Sequence, residues 1–137
     1  MKKTSITIIL TFLLISGTCG KKDQDLHDNI TFINQSNKVL FICGDWEYPD
    51  TLINFGNPLL AGDFNKVYAN SSGDPLKIRY SFESMFKRVD KLTVFVFDAH
   101  ILETTPWGTV KSMYLILKRY ELTLQDLNNM NWTITYP

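Results

Sequence analysis

Two cysteines, a trio of acidic and imidazole groups, and a handful of large aromatics are the residues of this chain with chemistry to offer. Cys19 follows Lys2 and Lys3, an apolar run over residues 6–15 broken only by Thr7 and Thr11, and the small residues Ser16, Gly17 and Thr18. A positive segment, a short apolar segment and small residues make the tripartite signal for export. A cysteine in that place is the acceptor of a diacylglyceryl thioether, after which the bond before it is cut and the new amine is open to acylation. The usual pattern has an aliphatic residue three before the cysteine and Gly, Ala or Ser just before it; here Ser16 and Thr18 occupy those places. Spanning a bilayer takes about 20 apolar residues, and this run is half that, so the segment reads as cleaved. The expectation is a lipoprotein signal peptide over residues 1–18 and lipidation at Cys19. Acyl chains at about 0.8 kcal/mol per buried methylene then hold the protein on a membrane leaflet.

Lipid on Cys19 excludes a disulfide between Cys19 and Cys43. Cys43 lies among Leu40, Phe41 and Ile42, so it reads as a buried thiol packing like a small hydrophobe. Asp98, His100 and Glu103 follow an apolar run. If extended, Asp98 and His100 share a face, yet one histidine and two carboxylates without a ligand motif read as a solvated strand end. Asp45 and Glu47 read the same way. Gly-x-Ser-x-Gly, phosphate-cradling glycine loops, Cys-x-x-Cys and His-Glu-x-x-His are all absent from the sequence, so the expectation is no catalytic residue, no metal and no cofactor. Trp46, Tyr48, Trp107 and Trp132 have faces suited to stacking on sugars, but in a small β protein such rings pack the core.

The elements that must position these groups come from 137 residues, enough for one domain. Hydrophobic residues are 45% and charged residues 20%, a globular composition, and the 13% aromatics favour strands. The chain has 14 basic and 14 acidic residues; loss of Lys2 and Lys3 with the signal leaves 12 against 14. That balance, with basic residues only in isolated pairs such as Lys87 and Arg88, gives no patch for nucleic acid. Residues 19–29 read as a polar, flexible tether and residues 30–137 as a single β-rich domain.

Within that domain, residues 30–34 and 38–44 are rich in β-branched and aromatic residues around Gln35, Ser36 and Asn37, a hairpin signal. A short strand is expected around residues 66–68 and a turn at residues 70–74. Leu76, Ile78 and Tyr80 alternate with Lys77, Arg79 and Ser81 as a half-buried strand. Ser81 caps a short helix reaching Val89. Residues 92–97 are an apolar run broken only by Thr93, the signature of a central strand covered on both faces. Thr104 or Thr105 before Pro106 starts a helical turn or two through Lys111, and a strand is expected over residues 113–121. Thr123 with Asp126 forms a capping box, and Trp132, Ile134 and Tyr136 alternate as the last strand. The expected fold is mainly β, an antiparallel β-sandwich of about seven strands with short helical connections.

From Leu92 onward, and above all in Thr105-Pro106-Trp107, Leu117-Lys118-Arg119-Tyr120 and Asn131-Trp132-Thr133-Ile134-Thr135-Tyr136-Pro137, the sequence resembles a group of small, functionally uncharacterised lipoproteins of Bacteroides and related Bacteroidetes. The likeness extends to residues 30–49. It implies an exported, outer-membrane lipoprotein, at the cell surface or on the periplasmic face, and carries no catalytic residues. Relaxed lipoboxes fit that affiliation. So does Asp50-Thr51-Leu52, which resembles the acceptor motif for O-glycosylation of exported Bacteroides proteins and marks Thr51 as a possible site; Asp50 otherwise reads as a turn residue. The functional expectation is a lipid-anchored, non-enzymatic binding or accessory module whose partners are the membrane and a protein or glycan. The alternatives are a structural envelope or fimbria-like subunit, which an open strand edge would favour, and a small hydrolase, which would need a pocket uniting Asp98, His100 or Cys43 with a second polar group.

Overall fold

A computed structural model describes residues 26–137. The expected signal segment, Cys19 and the first part of the expected tether lie outside the described residues. The strand β5 (Leu92–Asp98) organises the rest: Leu92 through Phe97 are all buried. Side chains alternate across a strand, and here Leu92, Val94 and Val96 enter one core while Phe95 and Phe97 enter another on the opposite face. β2 (Leu40–Asp45) divides the same way, with Leu40 and Ile42 on one side and Phe41 and Cys43 on the other. β5 pairs antiparallel with β2 and with β6 (Lys118–Leu122), and β2 with the short β3 (Lys66–Val67), giving a sheet of order β3-β2-β5-β6.

The first core is closed by a second sheet of order β4-β1-β7, built from β1 (Asn29–Asn34), β4 (Ser71–Lys77) and β7 (Thr133–Tyr136). β1 runs antiparallel to β4 and parallel to β7. Ile30, Phe32, Leu76 and Ile134 meet the central sheet from this side. The fold is thus mainly β, with seven strands in two mostly antiparallel sheets among the described residues, as the sequence leads one to expect. The second core is roofed by α2 (Ala99–Thr104), α3 (Trp107–Ser112) and the loop residues Ile53 and Phe55. The central sheet is therefore sandwiched between a sheet and a helical layer. α1 (Phe82–Met85) and α4 (Leu124–Asn129) contribute Phe82 and Leu127 to the first core.

Several expectations are corrected. β1 and β2 form no hairpin, because they belong to different sheets. The reversal between them is an arch, held by the side chain of Asn34, which is 1% exposed. Its amide donates to the carbonyls of Lys38 (2.7 Å) and Tyr68 (2.9 Å) and accepts from the N–H (3.0 Å) and hydroxyl (2.7 Å) of Ser36. Both donors and the acceptor are satisfied, the condition for burying an amide. The expected turn at residues 70–74 falls largely within β4, an edge strand whose polar side chains meet water. Between the Ile30–Leu76 and Phe32–Gly73 pairs its register slips, so Asp74 and Pro75 face one residue, Thr31. Such a bulge on an edge accommodates a proline that has no N–H to give, and Thr31 Oγ1 donates to Asp74 at 2.8 Å.

The strand expected from residue 113 begins only at Lys118. Tyr114 has φ 52°, and the Leu115 N–H bonds back to Val110 O at 2.9 Å, so residues 113–117 turn out of α3 and lower Leu115 and Ile116 into the second core. α1 is one turn and stops short of Val89, but Ser81 caps it, accepting from the Ser84 N–H at 3.2 Å. The Thr123–Asp126 capping box opens α4. No side chain caps α3, where Pro106 stands at the N-terminal boundary. Trp132, at φ 56°, precedes the last strand instead of opening it.

Candidate functional site

β5 ends where α2 begins, and that junction fixes the geometry of Asp98 and His100. Asp98 is the N-cap: Oδ1 accepts from the His100 backbone N–H at 2.9 Å, while Oδ2 accepts from Lys38 Nζ at 2.6 Å. Partial burial pushes this carboxyl up, but the bonds from Lys38 and the His100 N–H, with the Lys38 charge, outweigh it and hold the group below its ordinary value. Asp98 is therefore both the expected strand end and a helix start, and it meets the backbone of His100, not its ring. Glu103 follows in the same helix. With Lys38, Lys66 and Tyr68 these groups line an open cleft of about 360 Å³.

Each of the cleft's other residues is delivered by pairing distant in sequence. β2 leads out of the Asn34 arch, which sets Lys38 across from Asp98; Leu40 pairs with Val67 and with Asp98 on its two sides. Lys66 and Tyr68 flank Val67. Lys66 Nζ donates to Asp63 at 2.9 Å and stands 5.8 Å from the centre of the Tyr68 ring. The bond to Asp63 is the main reason its ammonium is held above the ordinary lysine value. Tyr68 is 58% exposed. The cleft thus offers a solvent-facing aromatic ring beside both positive donors and carboxylate acceptors.

Nucleophilic or acid–base chemistry needs a titratable group free to touch a reacting atom. Both Asp98 oxygens are engaged, and the imidazole of His100 makes no bond to it. Cys43 is elsewhere, buried in the second core with its Sγ 3.8 Å from Asn65 Nδ2. Burial pushes the Cys43 thiol up to about 12, far from the lowered values that make a thiolate at neutral pH. Asp45 accepts from the Glu47 N–H at 3.0 Å, and Glu47 and Asp50 share the amide of Asn54 at 2.9 and 3.1 Å. Among the described residues no three His, Cys, Asp or Glu side chains stand together as a metal site.

Thr51 lies on the surface loop after β2, between exposed Asp50 and Leu52. Asp50 turns this loop by accepting from the Leu52 N–H at 2.9 Å, and the Thr51 carbonyl accepts from Tyr114 Oη at 3.2 Å. Trp46 packs on Phe82 and Phe86, Trp107 on Phe55 and Phe97, and Trp132 on His27 and Phe82. The aromatics that face solvent most are others: Phe64, Tyr68 and Tyr80. Residue type alone does not distinguish them from the packed rings, and for Tyr68 only its place after a two-residue edge strand does. Comparison with protein-family models, with curated proteins and with solved structures yields no match to this chain, so its function is read from these residues.

Proposed function

We propose that this chain is a lipid-anchored outer-membrane protein whose β domain is a non-enzymatic binding or accessory module, and that its ligand is a glycan held in the Tyr68 cleft. The observation that carries this reading is the state of the polar groups there: Asp98 is fixed as an ionised helix cap and ion pair beside an exposed tyrosine face. Each Asp98 oxygen keeps a second lone pair, held in a fixed place, that can accept from a ligand's hydroxyl, while the ring supplies an apolar face on which a sugar can stack. Export and anchoring rest on the signal pattern ending at Cys19 and on the resemblance to Bacteroides lipoproteins. Three of the four sheet edges also favour a module over a strand-donating subunit. β4 is bulged, β3 has two residues, and β6 carries Lys118, Arg119 and Glu121, all features that oppose edge-to-edge pairing.

The test is binding of the full-length protein to an array of surface and dietary polysaccharide fragments, repeated with Tyr68→Ala and Lys38→Ala. The expected result is selective binding that falls at least tenfold in Tyr68→Ala, with the fold intact by circular dichroism. Binding in Tyr68→Ala equal to that of the unsubstituted protein, or none to any glycan, contradicts the assignment.

A further inference from the structure

The chain enters the domain at a clamp. His27 donates its N–H to the Glu83 carboxylate at 3.1 and 3.2 Å, its Nδ1 lies 2.7 Å from the same group, and its ring stacks on Trp132 at 3.9 Å. The His27 carbonyl accepts from the Phe82 N–H at 2.8 Å. The point from which the tether leaves is therefore fixed, and Leu26 stands there 64% exposed. Beside it is Tyr80, 69% exposed, with the Arg79 guanidinium 6.0 Å from its ring. Two shallow clefts of about 430 and 390 Å³ share Tyr80 and Ser84, one reaching Leu26 and Arg79, the other Met85 and Arg88. Asp28 also lines the first. Arg79, Lys87 and Arg88 enter no ion pair among the described residues.

We infer that this face docks on an anionic membrane surface. The inference rests on the reading of Cys19 as lipidated. Seven peptide bonds separate Cys19 from Leu26, which reach about 25 Å at full extension, so the anchor holds the Leu26 end of this face within that distance of the bilayer. Arginines are drawn to anionic headgroups within a Debye length of about 8 Å, and an exposed tyrosine and leucine suit the interfacial zone, where an apolar body meets a wet boundary. Apolar side chains alone would equally fit a protein; the cations and the short tether ending here select the lipid surface.

The test uses the full lipidated chain, first confirmed by intact mass, in vesicles of phosphatidylcholine with or without phosphatidylglycerol. A fluorophore is placed at Ser84→Cys or, on the helical layer, at Ser112→Cys, and a lipid-borne quencher is added. With phosphatidylglycerol, quenching at 84 is expected to exceed that at 112 several-fold, and Arg79→Glu with Arg88→Glu abolishes the difference while the acyl mass persists. Equal quenching at both positions overturns the proposal. So does protection of 84 from a water-soluble quencher in detergent micelles as well as in vesicles, which marks a protein or a second copy as the occupant. Acyl mass without preference for 84 overturns this inference alone; absence of acyl mass overturns the anchor reading as well.

Discussion

Asn34 and Cys43 both sit buried in strands and respond to burial in opposite ways. Asn34 satisfies its amide completely, so Asn34→Ala strands the carbonyls of Lys38 and Tyr68 and the Ser36 donors at the arch. A loss of about 2 kcal/mol in urea unfolding is expected, the usual cost of leaving buried polar groups unpaired. Cys43 instead stays protonated. Native protein at pH 8 is expected to resist alkylation at Cys43 over hours, with rapid labelling once urea unfolds it; peptide mapping that finds fast native labelling contradicts the buried-thiol assignment. Titration shows at the carboxylates. Burial pushes Glu83 up, but bonds from the His27 ring and from backbone N–H groups, with the His27 charge, outweigh it, and Glu83, like Asp98, is held below its ordinary value. A carboxylate lowered by folding stabilises the fold above its unfolded value and loses that contribution as pH falls through its folded value. Stability is thus expected to decline below about pH 4.5, the ordinary value for Glu83, and the decline becomes shallower in Glu83→Gln with Asp98→Asn. An unchanged acid slope in that double variant refutes the role given to these groups. Cys43 was legible because its neighbours are apolar. Asp98 was half legible: an acid after a strand is visible, but six helical residues beginning at Ala99 are too few to show a period.

At the scale of elements, β5 was readable from its residues alone, since a short run of five apolar residues and one threonine fits only between two covered faces. The arch was not. Gln35, Ser36 and Asn37 announce a reversal, but local turn chemistry does not say whether the returning strand joins the same sheet. That is decided by the Asn34 amide reaching Tyr68, 34 residues away. Likewise residues 70–74 look like a turn because an edge strand tolerates the polar residues and glycine of a turn, and residues 113–117 look like a strand because both cores demand apolar side chains there. These assignments rank the elements energetically. Phe97→Ala opens a void between β5 and the helical layer, with an expected loss of about 4 kcal/mol, whereas Ser81→Ala removes only the cap of α1 and costs about 1 kcal/mol. Chemical denaturation of the two variants checks the ranking, and comparable losses would show that the second core is not a principal source of stability.

For the whole molecule, the proposed address and the proposed glycan site differ in how the sequence carries them. The export pattern is contiguous, so residues 1–19 display it entire. The cleft is assembled from the loop before β2, the residues around β3 and the first turns of α2, separated by about 30 residues each and joined only by long-range strand pairing; Lys38, Lys66 and Tyr68 could not be singled out before that pairing was known. Both belong to one proposal, a small β module presented from a membrane by lipid on Cys19. Intact mass and peptide mapping of the protein extracted from membranes of a Bacteroides host test that claim most directly. Loss of residues 1–18 and two or three acyl chains on Cys19 are expected; an unacylated chain recovered from the soluble fraction contradicts the lipid anchor.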